Sequence, residues 1–136
     1  MPHDAPGDAI RATLARYCQY LDDGRFDDWM NLFTEDCEFR VMGRHLVGRD
    51  ALRGFIEPAQ TEDMRGRHLI SEPLMVIEGD HAKVTTDYAF VGRDLAVQSS
   101  GRYHDILVCD DDGEWRFLER EIVFVGDRPV DRSSGA

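Results

Sequence analysis

The chain has 136 residues, 42% hydrophobic and 32% charged, with 12 glycines and 5 prolines, the balance of one globular domain rather than a linker or a repeat array. Its 27 acidic against 16 basic residues give a formal net charge of -11, which opposes polyphosphate and anionic bilayers, so neither nucleic acid nor membrane is an expected partner. The three cysteines, Cys18, Cys37 and Cys109, are odd in number and form no Cys-x-x-Cys pair, and the acidic, turn-rich start lacks the order of a signal peptide, so a reducing cytoplasm is the expected setting.

From Asp8, a candidate N-cap, the apolar residues Ile10, Leu14, Tyr17 and Leu21 recur at helical spacing up to Gly24, which predicts a helix with one buried stripe. Phe26, Trp29, Met30 and Phe33 predict a second, short helix from Phe26 to Phe33. Cys37 to Val41 reads as a strand, turned by Met42-Gly43-Arg44 into the short partner His45-Leu46-Val47. Gly48-Arg49-Asp50 opens a third helix with the stripe Leu52, Phe55 and Ile56, expected to stop at Glu57-Pro58 because the residue before a proline avoids the helical region.

Long strands follow at His68 to Glu78, Lys83 to Val91, Val97 to Cys109 and Glu114 to Val125, with hairpins at Gly79-Asp80, Arg93-Asp94 and Asp112-Gly113. Helices first and a meander afterwards predict an α+β domain, residues 8–127, with three helices on the concave face of a strongly curved antiparallel sheet. Residues 1–7 and 128–136 are expected to be flexible tails. Such a cone is open at its wide end and offers a pocket for a small molecule.

Two positions carry chemistry. Asp22 lies four residues after Cys18 and borders the buried face of the first helix, although a Leu-Asp-Asp-Gly run also serves simply to end a solvated helix. His68 opens the first long strand, where Ile70, Leu74 and Val76 share its face. A hairpin near Gly79 would set Ile70 near Phe90 and Glu72 near Tyr88, and a slip of one residue would reverse every face. Arg120 is read as the partner of its neighbours Glu119 or Glu121, and Trp115 and Phe117 as core. No pattern of metal ligands, phosphate loop or flavin fingerprint occurs, so no metal or cofactor is expected.

Five stretches together resemble SnoaL-like proteins of the nuclear transport factor 2-like superfamily: Tyr17 to Phe33, Arg67-His68, Tyr88-Ala89-Phe90-Val91, Gly101 to Asp105, and Asp112 through Arg120. The resemblance covers roughly Ile10 to Val125 and is similar in its polar positions to the scytalone dehydratase and bile acid 7α-dehydratase group. It implies a cystatin-like roll and a catalytic set of Asp22, His68 and Tyr17, with an apolar substrate wall for which Cys18, Trp29, Phe33, Tyr88, Phe90 and Tyr103 are the candidates. The implied activity is a cofactor-independent dehydratase acting on a hydroxylated cyclic or polycyclic small molecule, polyketide- or steroid-like. A SnoaL-like cyclase or isomerase, and a non-catalytic ligand-binding or assembly subunit, are the alternatives. Apolar residues expected on the outer sheet face, from Val84 to Val91 and Ile122 to Val125, point to a homodimer or homotrimer.

Overall fold

The computed structural model describes residues 5–129. The elements run α1 (Pro6–Asp22), α2 (Phe26–Met30), β1 (Phe33–Val41), β2 (Arg44–Val47), α3 (Arg49–Ala59), β3 (Arg67–Ile70), β4 (Leu74–Glu78), β5 (His81–Val91), β6 (Val97–Cys109) and β7 (Trp115–Phe124). They form the expected mixed α+β architecture around one seven-stranded sheet of order β2-β1-β7-β6-β5-β3, with β4 also on β5. All pairs are antiparallel except β1 with β7, which run parallel. The helices cover the inner face: α1 packs on β3, β4 and β7, and α3 on β1 and β2. Residues 1–4 and 130–136 of the expected tails lie outside the described residues, whereas Pro6 and Gly7 are already helical.

The first helix starts at Pro6 with Ala5 as its N-cap, not at Asp8, because proline at the first helical position sets φ and gives up an amide that has no partner there anyway. Asp8 sits in the first turn, where the helix dipole favours a carboxylate. At the other end Gly24, at φ 71, accepts the left-handed conformation of a Schellman stop: Gly24 N–H donates to Leu21 O and Arg25 N–H to Tyr20 O. That stop makes Asp22 the last residue of α1, with its side chain on the buried side.

Several boundaries differ from the sequence reading. The second helix ends at Met30, and Phe33 instead opens β1 four residues before Cys37, because Phe33 pairs with Phe117 and Leu32 O accepts the Phe117 amide at 2.8 Å. α3 runs through Pro58 to Ala59, since a proline in the final turn removes a single helical bond. β5 begins at His81 rather than Lys83.

The expected strand from His68 to Glu78 is two strands, broken at Ser71-Glu72-Pro73, where proline has no amide for the ladder. Both pieces pair with β5, β3 in a register two residues from the expected one: His68 opposes Phe90 and Ile70 opposes Tyr88. A slip of two preserves facing, so His68 and Ile70 do point inward. Between Ile70 and Met75, however, the chain spends one residue more than β5 does between Tyr88 and Val84, which reverses the pleat. Met75 therefore packs on the core, while Leu74 and Val76 are exposed rather than sharing a face with His68.

The inner rows of β5, β6 and β7 carry Val84, Tyr88, Tyr103, Leu107, Trp115 and Phe117, all buried. Val84 and Ile122 face inward, contrary to the expected outer apolar face, and the outer rows mix charge with apolar residues: Lys83 opposes Ile106, which opposes Glu119 on its other side, and Asp87 is bonded to Arg102 at 2.6 Å. Among the described residues no helix is long and apolar enough to cross a membrane.

Candidate active site

Asp22, at the end of α1, and His68, at the start of β3, meet on the concave side of the sheet. Asp22 Oδ1 lies 2.6 Å from His68 Nδ1, and its Oδ2 accepts the His68 backbone N–H at 2.9 Å. The two side chains are 4% and 10% exposed. Asp22 therefore bonds both the ring and the main chain of one residue, which fixes the imidazole relative to its strand. A carboxylate at a helix C-terminus sits at the unfavourable end of the dipole, and the two donors from His68 offset that field. Close passage of the main chain at Gly66 brings β3 into place: a Cβ there would lie 2.0 Å from Val91 O, so only glycine lets the chain run so near β5 just before His68.

An ionised carboxylate only accepts, so the contact assigns the proton of neutral His68 to Nδ1 and leaves Nε2 as the free basic nitrogen. Among the described residues Nε2 has no hydrogen-bond partner. The ring is held flat against Phe90, with centroids 4.6 Å apart and planes at 18°, and Tyr17 meets it edge-on at 6.5 Å.

His68 lines a cavity of about 180 Å³ inside the cone, together with Tyr17, Tyr88, Phe90 and Tyr103 from the sequence-derived set. Leu21, Phe39, Phe55, Gln60 and Ser99 also line it, and the 63% exposed Met42 marks its open end. Larger hollows elsewhere, such as the one beside Arg40 and Arg44 on β1 and β2, carry charged side chains on their walls and lack this apolar lining.

Cys18, Trp29 and Phe33 do not line the cavity. They form the packed layer next to it: Trp29 and Phe33 are fully buried, with ring centroids 5.3 and 6.2 Å from that of Tyr17. The sequence placed them on the correct side of the sheet but at the wrong depth. Burial pushes the Cys18 thiol up to about 11, which makes it an inert core group rather than a nucleophile.

Burial also pushes the Tyr17 phenol up to about 12 against the opposing charge of Arg120, so Tyr17 is a hydrogen-bond donor at neutral pH. Tyr103 is likewise raised well above the usual phenol range by burial, and it stacks on Tyr88 at 4.5 Å with parallel planes. Tyr88 OH bonds Ser99 Oγ at 2.8 Å across β5 and β6.

Beneath this layer lies a feature the sequence reading missed. Arg120 pairs with Asp105, not with Glu119 or Glu121, through two parallel bonds of 2.7 Å from Nε and Nη2. Both side chains are almost wholly buried, at 1% and 0% exposure. The guanidinium carbon sits 3.8 to 4.4 Å from the ring centroids of Tyr103, Tyr17 and Phe117, so three aromatic faces replace the solvent around its charge. Burial raises the Asp105 carboxyl above its ordinary range despite the guanidinium beside it. The signal was present in β6, where Gly101, Tyr103, Asp105 and Leu107 alternate, because a carboxylate on an otherwise apolar row requires a cation opposite. His104, between two of these residues, stands on the outer face opposite Thr85 and Glu121.

A curved sheet with helices on one face and an apolar pocket between them is the architecture of the nuclear transport factor 2-like, or cystatin-like, superfamily, and a superfamily member from Salmonella enterica superposes with a TM-score of 0.72 at 17% identity, over 91% of this chain and 94% of that one. Residues 7–121 match the model of the SnoaL-like domain, and the chain belongs to that family. A variant of Rv3472, a protein of unknown function from Mycobacterium tuberculosis, is 33% identical over 90% of this chain and 76% of its own, with a TM-score of 0.76. A candidate scytalone dehydratase from Novosphingobium aromaticivorans is 26% identical, covering 91% of this chain and 88% of its own, also at 0.76. No functionally curated protein matches the sequence.

Proposed function

We propose that the protein is a cofactor-independent lyase, a dehydratase that removes water from a hydroxylated cyclic small molecule by proton transfer through His68. The observation that carries this reading is the bond between Asp22 and His68 Nδ1, which leaves Nε2 free at the wall of an apolar cavity. Nε2 takes a proton from the carbon beside a carbonyl, and the imidazolium that forms is stabilised by the Asp22 carboxylate already in contact with it. The same nitrogen then returns the proton to the departing hydroxide on the same side of the ring. Tyr17, neutral and buried at the cavity wall, is the donor to the substrate oxygen on which negative charge develops. The similarity to a candidate scytalone dehydratase at 26% identity supports the reaction class. The free thiols of Cys18, Cys37 and Cys109 fit a reducing cytoplasm as its setting.

The experiment is to supply ring β-hydroxyketones, beginning with 3-hydroxycyclohexanone, in deuterated buffer. Formation of the conjugated enone is followed by its ultraviolet absorption, and uptake of deuterium beside the carbonyl by NMR. Enone formation or deuterium exchange above the buffer rate is the expected result. A protein that binds such ketones and yet promotes neither process overturns the proposal in favour of a ligand-binding subunit.

A further inference from the structure

The pair of Asp105 and Arg120 is the buried charged group that the proton-transfer scheme leaves unused. Arg120 is 1% exposed and stands behind the cavity wall, where Nε and Nη2 are both taken by Asp105 at 2.7 Å. Its third nitrogen, Nη1, is shut off from solvent and has no hydrogen-bond acceptor among the described residues, so aromatic faces meet the charge that Asp105 leaves over. Two of those faces, Tyr17 at 4.1 Å and Tyr103 at 3.8 Å from the guanidinium carbon, also line the cavity. A buried ion pair is a costly way to fill a core, since apolar side chains of similar size often hold it equally well. Stability gives no account of the pair, and its place against the cavity wall offers one.

We propose that Arg120 is a positioning residue for the reaction and acts through Tyr17: Asp105 holds the guanidinium against the phenol ring, and its positive charge makes Tyr17 OH a stronger donor to the substrate oxygen. This role rests on the proton-transfer reading of the same site and belongs to a residue that does not touch the substrate. Packing alone already places the Tyr17 ring, with Trp29, Phe33 and Phe117 at centroid distances of 5.3, 6.2 and 5.7 Å. What Arg120 adds is charge. A cation beside a phenol favours the phenolate, and the same polarisation strengthens the hydrogen bond from the phenol to an oxygen on which negative charge grows. At Tyr17 burial raises the phenol, the guanidinium opposes burial, and Asp105 opposes the guanidinium more weakly. The pair thus presents its positive side to the phenol.

The test compares the parent with two variants of opposite expected sign. Placing 3,5-difluorotyrosine at position 17 brings the ionisation of that phenol into a pH range that the fold tolerates, ahead of the other tyrosines, and the phenolate is followed by its ultraviolet absorption. The double change Asp105→Leu with Arg120→Met removes both charges and is expected to raise the midpoint by about 1 pH unit. Asp105→Asn keeps the guanidinium, removes the opposing carboxylate and is expected to lower it. With the ordinary Tyr17, the double change is expected to reduce kcat on a ring β-hydroxyketone about 10-fold with KM little changed, short of the ~10²–10³ lost when an oxyanion donor is removed outright. A merely structural pair would alter stability and leave the midpoint in place. An unchanged midpoint in the folded double variant, or a moved midpoint with kcat unchanged, overturns the proposal. Should that variant not fold, Asp105→Asn decides alone, and a midpoint that does not fall overturns it. Failure of the catalytic reading is distinguishable: a protein whose midpoint moves as expected but which turns over no ring ketone keeps the contact of Arg120 with Tyr17 and loses the reaction. Turnover that depends on His68 and not on Arg120 keeps the reaction and loses this role.

Discussion

Replacing His68 by alanine is expected to lower kcat by about 10²–10⁴, the usual contribution of a positioned general acid-base, while KM changes little. The split matters, because His68 also packs flat on Phe90, and loss of packing alone would show in binding or stability instead. Asp22→Asn is expected to reduce kcat by a comparable factor, because an amide in that place neither stabilises the imidazolium nor enforces the Nδ1-protonated form. Steady-state rates on a ring β-hydroxyketone that the protein turns over, with circular dichroism to confirm folding, decide the matter. Full turnover by His68→Ala would remove His68 from the chemistry.

The second large effect is on stability. Asp105→Ala leaves the Arg120 guanidinium buried without its carboxylate, and the expected loss is about 3–5 kcal/mol of unfolding free energy, measured by urea titration. The double change Asp105→Leu with Arg120→Met removes both charges from the core and is expected to recover most of that loss, since a buried pair replaced by apolar groups of similar size is often neutral. An Asp105→Ala protein as stable as the parent would mean that the charge of Arg120 is satisfied by the faces of Tyr17, Tyr103 and Phe117 alone.

The two residues of the dyad were legible because each stands at an element boundary that local chemistry announces. Gly24 stops α1 and so fixes where Asp22 falls, and the charged, glycine-containing stretch before His68 marks the start of a strand. The apolar period of α1 read correctly for the same reason, since periodicity reports which face is buried, whereas Val84 and Ile122 were assigned to the wrong face of the sheet. Periodicity does not report depth along the cone. Tyr17, Trp29 and Phe33 are equally buried aromatic residues in sequence terms, and only the tertiary packing decides that Tyr17 borders the cavity while the other two lie in the layer beside it.

Partners across strands were the other gap, because they depend on register, and register depends on irregularities. Pro73 was visible, yet reading through it concealed the extra residue that turns Leu74 and Val76 outward. The bulge in the pairing of β6 with β7 between Ile106 and Leu107 likewise brings Arg120 opposite Asp105. Neighbouring charges in the sequence, Glu119 and Glu121, were the nearer but incorrect choice.

In the proposed mechanism Asp22 holds the proton of His68 on Nδ1 and presents Nε2 to the substrate. The direct measurement is the nitrogen NMR spectrum of the protein labelled with 15N-histidine, recorded at a pH where the ring is neutral. The predicted result is an Nδ1-protonated His68 whose Nε2 shift moves when a ring ketone binds, and loss of that single form in Asp22→Asn. A His68 protonated on Nε2, with its Nδ1 the basic nitrogen, would contradict the account.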